Sequence, residues 1–212
     1  LETMTPVYFR NQPVGCTGTI IYQIYQEKMA DIPKEIAGLM CSAIISDTLL
    51  FRSPTCTPFD VEAAKRLAVI AGIECESYAR EMFAAGSDLQ ARTPEEIFYQ
   101  DFKQFEFGDW NIGIGQITSM SSEELGHIKQ RLMPYMEQVF AKHDADMVFF
   151  MLTDILSESS ELLCYGKGAA ELIQEAFGQK VVQNSALLPG VVSRKKQLVP
   201  SFMAAINRMT MV

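Results

Sequence analysis

Between residues 20 and 85 the apolar positions recur at helical spacing, whereas from residue 103 onward they alternate or run together, and that change divides the chain in two. Ile20 to Glu27 keeps its apolar residues on one face, after the junction Pro13-Val14-Gly15-Cys16-Thr17-Gly18-Thr19. Pro33 stands where a helix can start, because its missing N–H would be unbonded there anyway. Lys34 to Ser46 is apolar on several faces and predicts a buried helix ending at Ser46-Asp47-Thr48. Pro58, with Asp60 nearby, opens a helix over Val61 to Ala71, and Ile73 to Ala85 predicts the next, stopped by Gly86.

Gly86 to Arg92 is small and polar, the composition of a linker, and Pro94-Glu95-Glu96 reads as a first helical turn with acids suited to the helix dipole. The pattern then switches to strands. Gln104 to Phe107 and Trp110 to Thr118 flank Gly108-Asp109 and predict a hairpin. Ser121-Ser122-Glu123-Glu124 marks the start of a helix whose periodicity runs to about His143. Asp146 to Thr153 reads as an apolar strand with Ser160 to Tyr165 as its antiparallel partner. Gly168 to Phe177 is helical with Gly178 as the stop. Val181-Val182 and Val191-Val192 are short strand candidates, and Leu198 to Arg208 predicts a last helix interrupted early by Pro200. A helical segment, a linker and an α+β domain result, with no internal repeat and no low-complexity tract.

Composition narrows the function classes. With 48% hydrophobic and 21% charged residues, the chain can bury a core, which argues against disorder. A net charge of -8 argues against nucleic acid as the main partner, though not against a small local anion site. No apolar run is long enough to span a bilayer, and Leu1-Glu2-Thr3-Met4-Thr5-Pro6 lacks the basic leader and apolar core of a secretory signal; it reads as a chain met midway. Five cysteines, widely spaced and with no Cys-x-x-Cys pair, fit reduced thiols in the cytoplasm.

Three places could carry chemistry. Ser193-Arg194-Lys195-Lys196-Gln197 sets three cations after Val191-Val192 in an acidic chain, with Gly190 allowing a tight turn. The planar fork of arginine and the point charge of lysine suit a small, dense anion. A solvated basic turn explains the run equally well. Asp47 follows a buried apolar helix, where a carboxylate is costly to desolvate unless paired or metal-bound; a helix-end aspartate that reaches solvent or caps Thr48 is the simpler account. Lys103 stands at a helix-to-strand junction beside Asp101, a common place for an exposed lysine. Gly15 and Gly18 could leave N–H groups open to an anion, but a plain junction with a threonine N-cap accounts for them better. His127 and His143 lie too far apart along one helix to share a metal, and Asp154 reads as a cap or a balancing charge.

The stretch Pro13 to Thr17, the run Lys34-Glu35-Ile36-Ala37-Gly38-Leu39-Met40 leading to Ser42 through Leu50, Ser53-Pro54-Thr55-Cys56-Thr57, and the end Leu187-Leu188-Pro189-Gly190-Val191-Val192-Ser193-Arg194-Lys195-Lys196-Gln197 together resemble the family II inorganic pyrophosphatases. The resemblance covers essentially the whole chain. It implies an α/β fold of α+β character: residues 1–86 as the helical C-terminal part of a DHH phosphoesterase domain, 87–92 as a flexible linker, and 93–212 as a DHH-associated domain with a mixed sheet and packed helices. It implies hydrolysis of pyrophosphate by a manganese or cobalt cluster, with Mg2+ accompanying the substrate. By the same match Asp47 is a bridging metal ligand, Lys103, Arg194 and Lys195 grip the substrate phosphates, Lys196 makes no direct contact, and no residue here is the catalytic group itself. The family's other ligands, including the Asp-His-His of the superfamily's name, lie N-terminal to these residues, so the chain by itself is expected to bind phosphate weakly and not to turn over. A homodimer joined through the first domain, a cytoplasmic location, and no nucleic acid or membrane partner complete the expectation. Two rivals stay open: another DHH-type phosphoesterase, such as an exopolyphosphatase or an oligonucleotide phosphatase, and a non-catalytic binding or dimerisation module.

Overall fold

The computed structural model describes residues 7–86, 89, 91–142 and 145–210. Its contacts group into two compact units, Leu1–Met82 and Phe83–Val212, and each is described by itself.

The first unit is helical: α1 (Thr17–Glu27), α2 (Lys34–Asp47), α3 (Pro58–Ala71) and α4 (Cys75–Gly86), the last running past the division between units. Small residues let α2 and α3 approach closely. Ala37, Cys41, Ala63, Ala64 and Ala68 are buried, and Ile44, Ile45 and Leu67 fill the remaining space. The prediction that α2 is buried on several faces was too broad. Its buried residues are Ala37, Met40, Cys41, Ile44 and Ile45, and Leu39 stands 68% exposed. α3 begins at Pro58 rather than Val61, because Thr57 and Asp60 close a capping box with proline in the first turn.

The second unit is a mixed five-stranded sheet with helices on both faces. Its elements are α5 (Pro94–Gln100), β1 (Phe102–Phe107), β2 (Trp110–Ser119), α6 (Ser122–Lys142), β3 (Met147–Asp154), β4 (Ser159–Gly166), α7 (Ala169–Phe177), β5 (Ser185–Pro189) and α8 (Val199–Thr210), with a π-helical turn at Arg194–Leu198 before α8. The strands lie in the order β1-β2-β3-β4-β5. β2 and β3 are parallel, joined by the α6 crossover, and the other pairs are antiparallel.

The apolar run of β3 follows from burial on both sides. Met147, Phe149 and Met151 face a core with α7 and α8, whereas Val148, Phe150 and Leu152 face α5 and α6. Gly113 and Gly115 make room for aromatic rings on the α5–α6 side: a Cβ at Gly113 would come within 2.5 Å of Phe102, and one at Gly115 within 2.5 Å of Phe150. The hairpin turn has Gly108 at a φ of +61°, as a two-residue turn requires.

Three expectations change at the C-terminal end. The last strand is Ser185–Pro189, not Val181-Val182, which forms only one isolated bridge from Val182, nor Val191-Val192, which lie in a loop. Pro200 falls in the first turn of α8, where an N–H is not needed, and does not interrupt it. His143 lies outside the described residues, as do residues 87, 88 and 90 of the expected linker. Leu89, within that stretch, is buried in the second unit's core, and Arg131 donates to the carbonyls of Leu89 and Arg92. No helix among the described residues is long and apolar enough to cross a membrane.

Candidate functional site

The motif Ser193 to Gln197 divides its labour residue by residue. The Ser193 hydroxyl accepts from the Lys196 N–H at 3.2 Å and caps the π-helical turn. The Gln197 carbonyl oxygen accepts from the N–H groups of Val192 (2.9 Å) and Ser193 (3.0 Å), while its amide donates to Gly190 at 2.7 Å. Gly190 sits at a φ of +74°, which a larger residue would resist. The two ends of the motif therefore build the loop, and the cations between them are what the loop holds.

Arg194 and the lysines go opposite ways. The Arg194 side chain is 6% exposed and makes an ion pair with Asp101 at 2.7 Å. Its Nη1 donates to the carbonyls of Asp101 (2.5 Å) and Ile114 (3.0 Å), and Nη2 donates to Asp101 Oδ1. Five guanidinium N–H groups less these three leave two, on Nε and Nη2, without a partner among the described residues. Lys195 and Lys196 are exposed, as is Lys103 on β1. None of the three lysines has an ion-pair partner among the described residues.

Register links Lys103 to Arg194. Lys103 is the cross-strand partner of Ile114, whose carbonyl accepts from Arg194. Strand alternation puts Lys103 on the face of Phe105 and Phe107, which pack against the core shared with α7 and α8. The structure thus ties Arg194 to the antiparallel β1–β2 pair that carries Lys103, while Lys195, the next residue along the chain, is exposed.

Asp47 belongs to the first unit. It is the last residue of α2 and is exposed. The helix dipole opposes a carboxylate at that end, so its placement is not a device for stabilising the helix. Immediately after it Leu49, Leu50 and Phe51 take left-handed φ values of 49°, 50° and 69°. Such conformations cost on the order of 1 kcal/mol per residue and gather at functional sites. Buried Thr48 holds the turn: its hydroxyl donates to Ile44 O at 2.6 Å and accepts from Phe51 N at 3.2 Å.

A second carboxylate, fully buried Asp60, fixes what lies beside Asp47. It accepts from Gly15 N (2.8 Å), Cys16 N (3.3 Å), Thr19 Oγ1 (2.5 Å), Thr57 N (2.8 Å) and Thr57 Oγ1 (2.6 Å). Burial alone would raise its pKa, but the bonds from Thr19, Thr57 and the Gly15 and Thr57 N–H groups outweigh it and hold the carboxyl below its usual range. Cys16, not a threonine, is the N-cap of α1, its sulfur accepting from Gly18 N at 3.2 Å. Burial first, and the Asp47 carboxylate that its S–H faces second, push the Cys16 thiol up to about 12. Both Asp60 and Cys16 were legible only in part: Thr57-Pro58-Phe59-Asp60 is a visible capping box, but nothing in the sequence ties Asp60 to Gly15.

The other expected candidates have structural roles. Asp154 accepts from Leu156 N and Ser157 N and closes the β3–β4 turn. His127 is exposed on α6. All five cysteines are free thiols. Among the described residues no group of three or more His, Cys, Asp or Glu side chains could hold a metal ion.

The model of the DHHA2 domain matches residues 80–205. A manganese-dependent inorganic pyrophosphatase of Bacillus subtilis is 46% identical over 199 residues, covering 94% of this chain and 64% of that protein. A solved Methanococcus jannaschii structure, ascribed to the family II inorganic pyrophosphatases, is 40% identical with a TM-score of 0.78, over 98% of this chain and 70% of that one. The chain belongs to the family II inorganic pyrophosphatases. Its expected α+β architecture, a mixed sheet with packed helices, is the one found. A cobalt-dependent inorganic pyrophosphatase of Clostridium perfringens is 44% identical over 200 residues, 94% of this chain but 36% of that protein. The chain therefore spans less than two thirds of the length of these two curated pyrophosphatases.

Proposed function

We propose that this chain supplies the substrate-gripping part of a pyrophosphatase, which splits the P–O–P anhydride with water into two phosphates. The observation that supports it is the pair of lysines near the β1–β2 edge, Lys103 and Lys195, which lack acidic partners among the described residues in a chain of net charge -8. Hydrolysis of so dense a polyanion needs charge neutralisation and positioning more than covalent chemistry. Lys103 and Lys195 each place an ammonium on the substrate phosphates. Arg194 adds its two uncommitted N–H donors and holds the loop in place. Together they stabilise charge on the departing phosphate.

Asp47 contributes one ligand to a manganese or cobalt site of the kind for which the relatives are named. The remaining ligands come from a DHH region outside this chain, since among the described residues no set of metal-binding side chains gathers around Asp47. Residues 1–86 and 93–212 act as two domains of a cytoplasmic homodimer, with Mg2+ bound to the substrate.

Calorimetric titration tests the proposal. Imidodiphosphate, a non-hydrolysable pyrophosphate analogue, should bind the 212-residue chain more tightly than inorganic phosphate or a short oligonucleotide. No preference for the diphosphate would remove the substrate assignment. The chain alone should release no phosphate from pyrophosphate with Mn2+ present; rapid Mn2+-dependent release would contradict the assignment of Asp47 as its one metal ligand.

A further inference from the structure

We propose that Asp101 is a positioning residue of the phosphate-binding edge: it pins the buried guanidinium of Arg194 and so fixes where Lys195 stands relative to Lys103. The inference rests on the substrate reading above and adds to it a residue that never touches phosphate.

Arg194 is the first residue of the π-helical turn, so its anchor sets the origin of the turn that presents Lys195. Asp101 supplies two of its three hydrogen bonds, one from the main-chain carbonyl and one from the carboxylate. Asp101 also immediately precedes β1 and stands two residues before Lys103. One residue thus fastens the loop that carries Lys195 to the start of the strand that carries Lys103, across 93 positions of sequence. A guanidinium buried this deeply is tolerated only when a carboxylate pairs with it, and Asp101 is its one ion-pair partner among the described residues. The carboxylate is itself 40% exposed, so its replacement leaves a hole that water can enter rather than a void in the core.

Charge and position make opposite forecasts. Removing a carboxylate beside a cationic site strengthens anion binding by Coulomb attraction alone. Removing the carboxylate leaves Arg194 only its two main-chain acceptors and no countercharge, which loosens the turn, disperses the two lysines and weakens binding.

The experiment is titration of the whole chain with imidodiphosphate at fixed ionic strength, for the wild type, Asp101→Ala and Asp101→Asn. Circular dichroism and denaturant midpoints check the fold of each. Asp101→Ala should bind about tenfold more weakly, whereas Asp101→Asn, which keeps an oxygen acceptor for Arg194, should bind no more tightly than the wild type and at most about threefold more weakly. Unchanged or tighter binding by a folded Asp101→Ala protein overturns the proposal. If the alanine variant does not fold, Asp101→Asn decides: affinity no greater than wild type supports the pin, and a gain in affinity overturns it. Failure of the wild type to bind imidodiphosphate is a separate result that removes the substrate reading and this inference together.

Discussion

Both units use a carboxylate to hold a loop, and they do it in opposite ways. Asp60 in the helical unit is fully buried and satisfied by neutral N–H and O–H donors of Gly15, Cys16, Thr19 and Thr57. Asp101 in the sheet unit is partly open and satisfies a buried cation. The first arrangement needs no countercharge, because hydrogen bonds alone stabilise the anion. The second takes one cation of a three-cation run inside and leaves the next two in solvent. In each unit a buried charged group, Asp60 or Arg194, holds a loop, and an exposed charged group, Asp47 or Lys195, lies close to it in sequence or space.

The largest expected effect tests the Asp60 side of that comparison. Asp60→Ala leaves buried donors without an acceptor and should destabilise the chain by about 3 kcal/mol, read from denaturant unfolding. A loss under about 1 kcal/mol would mean that the loop holds itself. Next comes Arg194→Ala, which strands the Asp101 carboxylate and two carbonyls. Because Asp101 is partly wet, the loss of stability should be nearer about 2 kcal/mol than the larger values of fully buried pairs. Equal losses at Asp60 and Arg194 would erase the distinction between the two arrangements.

How much of this was readable follows from where the partners lie. Local signals survived: the helix starts at Pro58 with Asp60 and at Pro94-Glu95-Glu96, the Gly108-Asp109 turn, and the unbroken apolar run of β3 each depend on residues a few positions apart. The last strand was missed because Ser185 to Pro189 is short and mixed, and its pairing with β4 is set by long-range register. Val191 and Val192 have strand-forming side chains, yet they are buried in a loop where Gln197 takes the N–H of Val192. The inward turn of Arg194 could not be read at all, since composition shows a cation but not that Asp101, far off in sequence, will claim it.

Smaller effects sharpen the functional side. Lys195→Ala should weaken imidodiphosphate binding about tenfold, near 1.4 kcal/mol, without moving the unfolding midpoint, because the exposed side chain has no partner among the described residues. Its affinity should also fall less steeply with salt than the wild type's. The mildest effect is on pH. Asp60 has a folded pKa below its ordinary value of 3.8, so its contribution is complete above that value and is lost as pH falls through the lower folded one. Acid unfolding curves of the wild type and Asp60→Asn should therefore converge as pH drops below about 4; curves that stay parallel would show that Asp60 does not titrate as described.

The most direct test of the proposed cationic edge is residue-resolved NMR of the chain titrated with imidodiphosphate. Saturable shifts centred on Lys103, Arg194 and Lys195 are expected, with one dissociation constant shared by all three. Saturable shifts centred elsewhere, or none at all, would contradict the proposed edge.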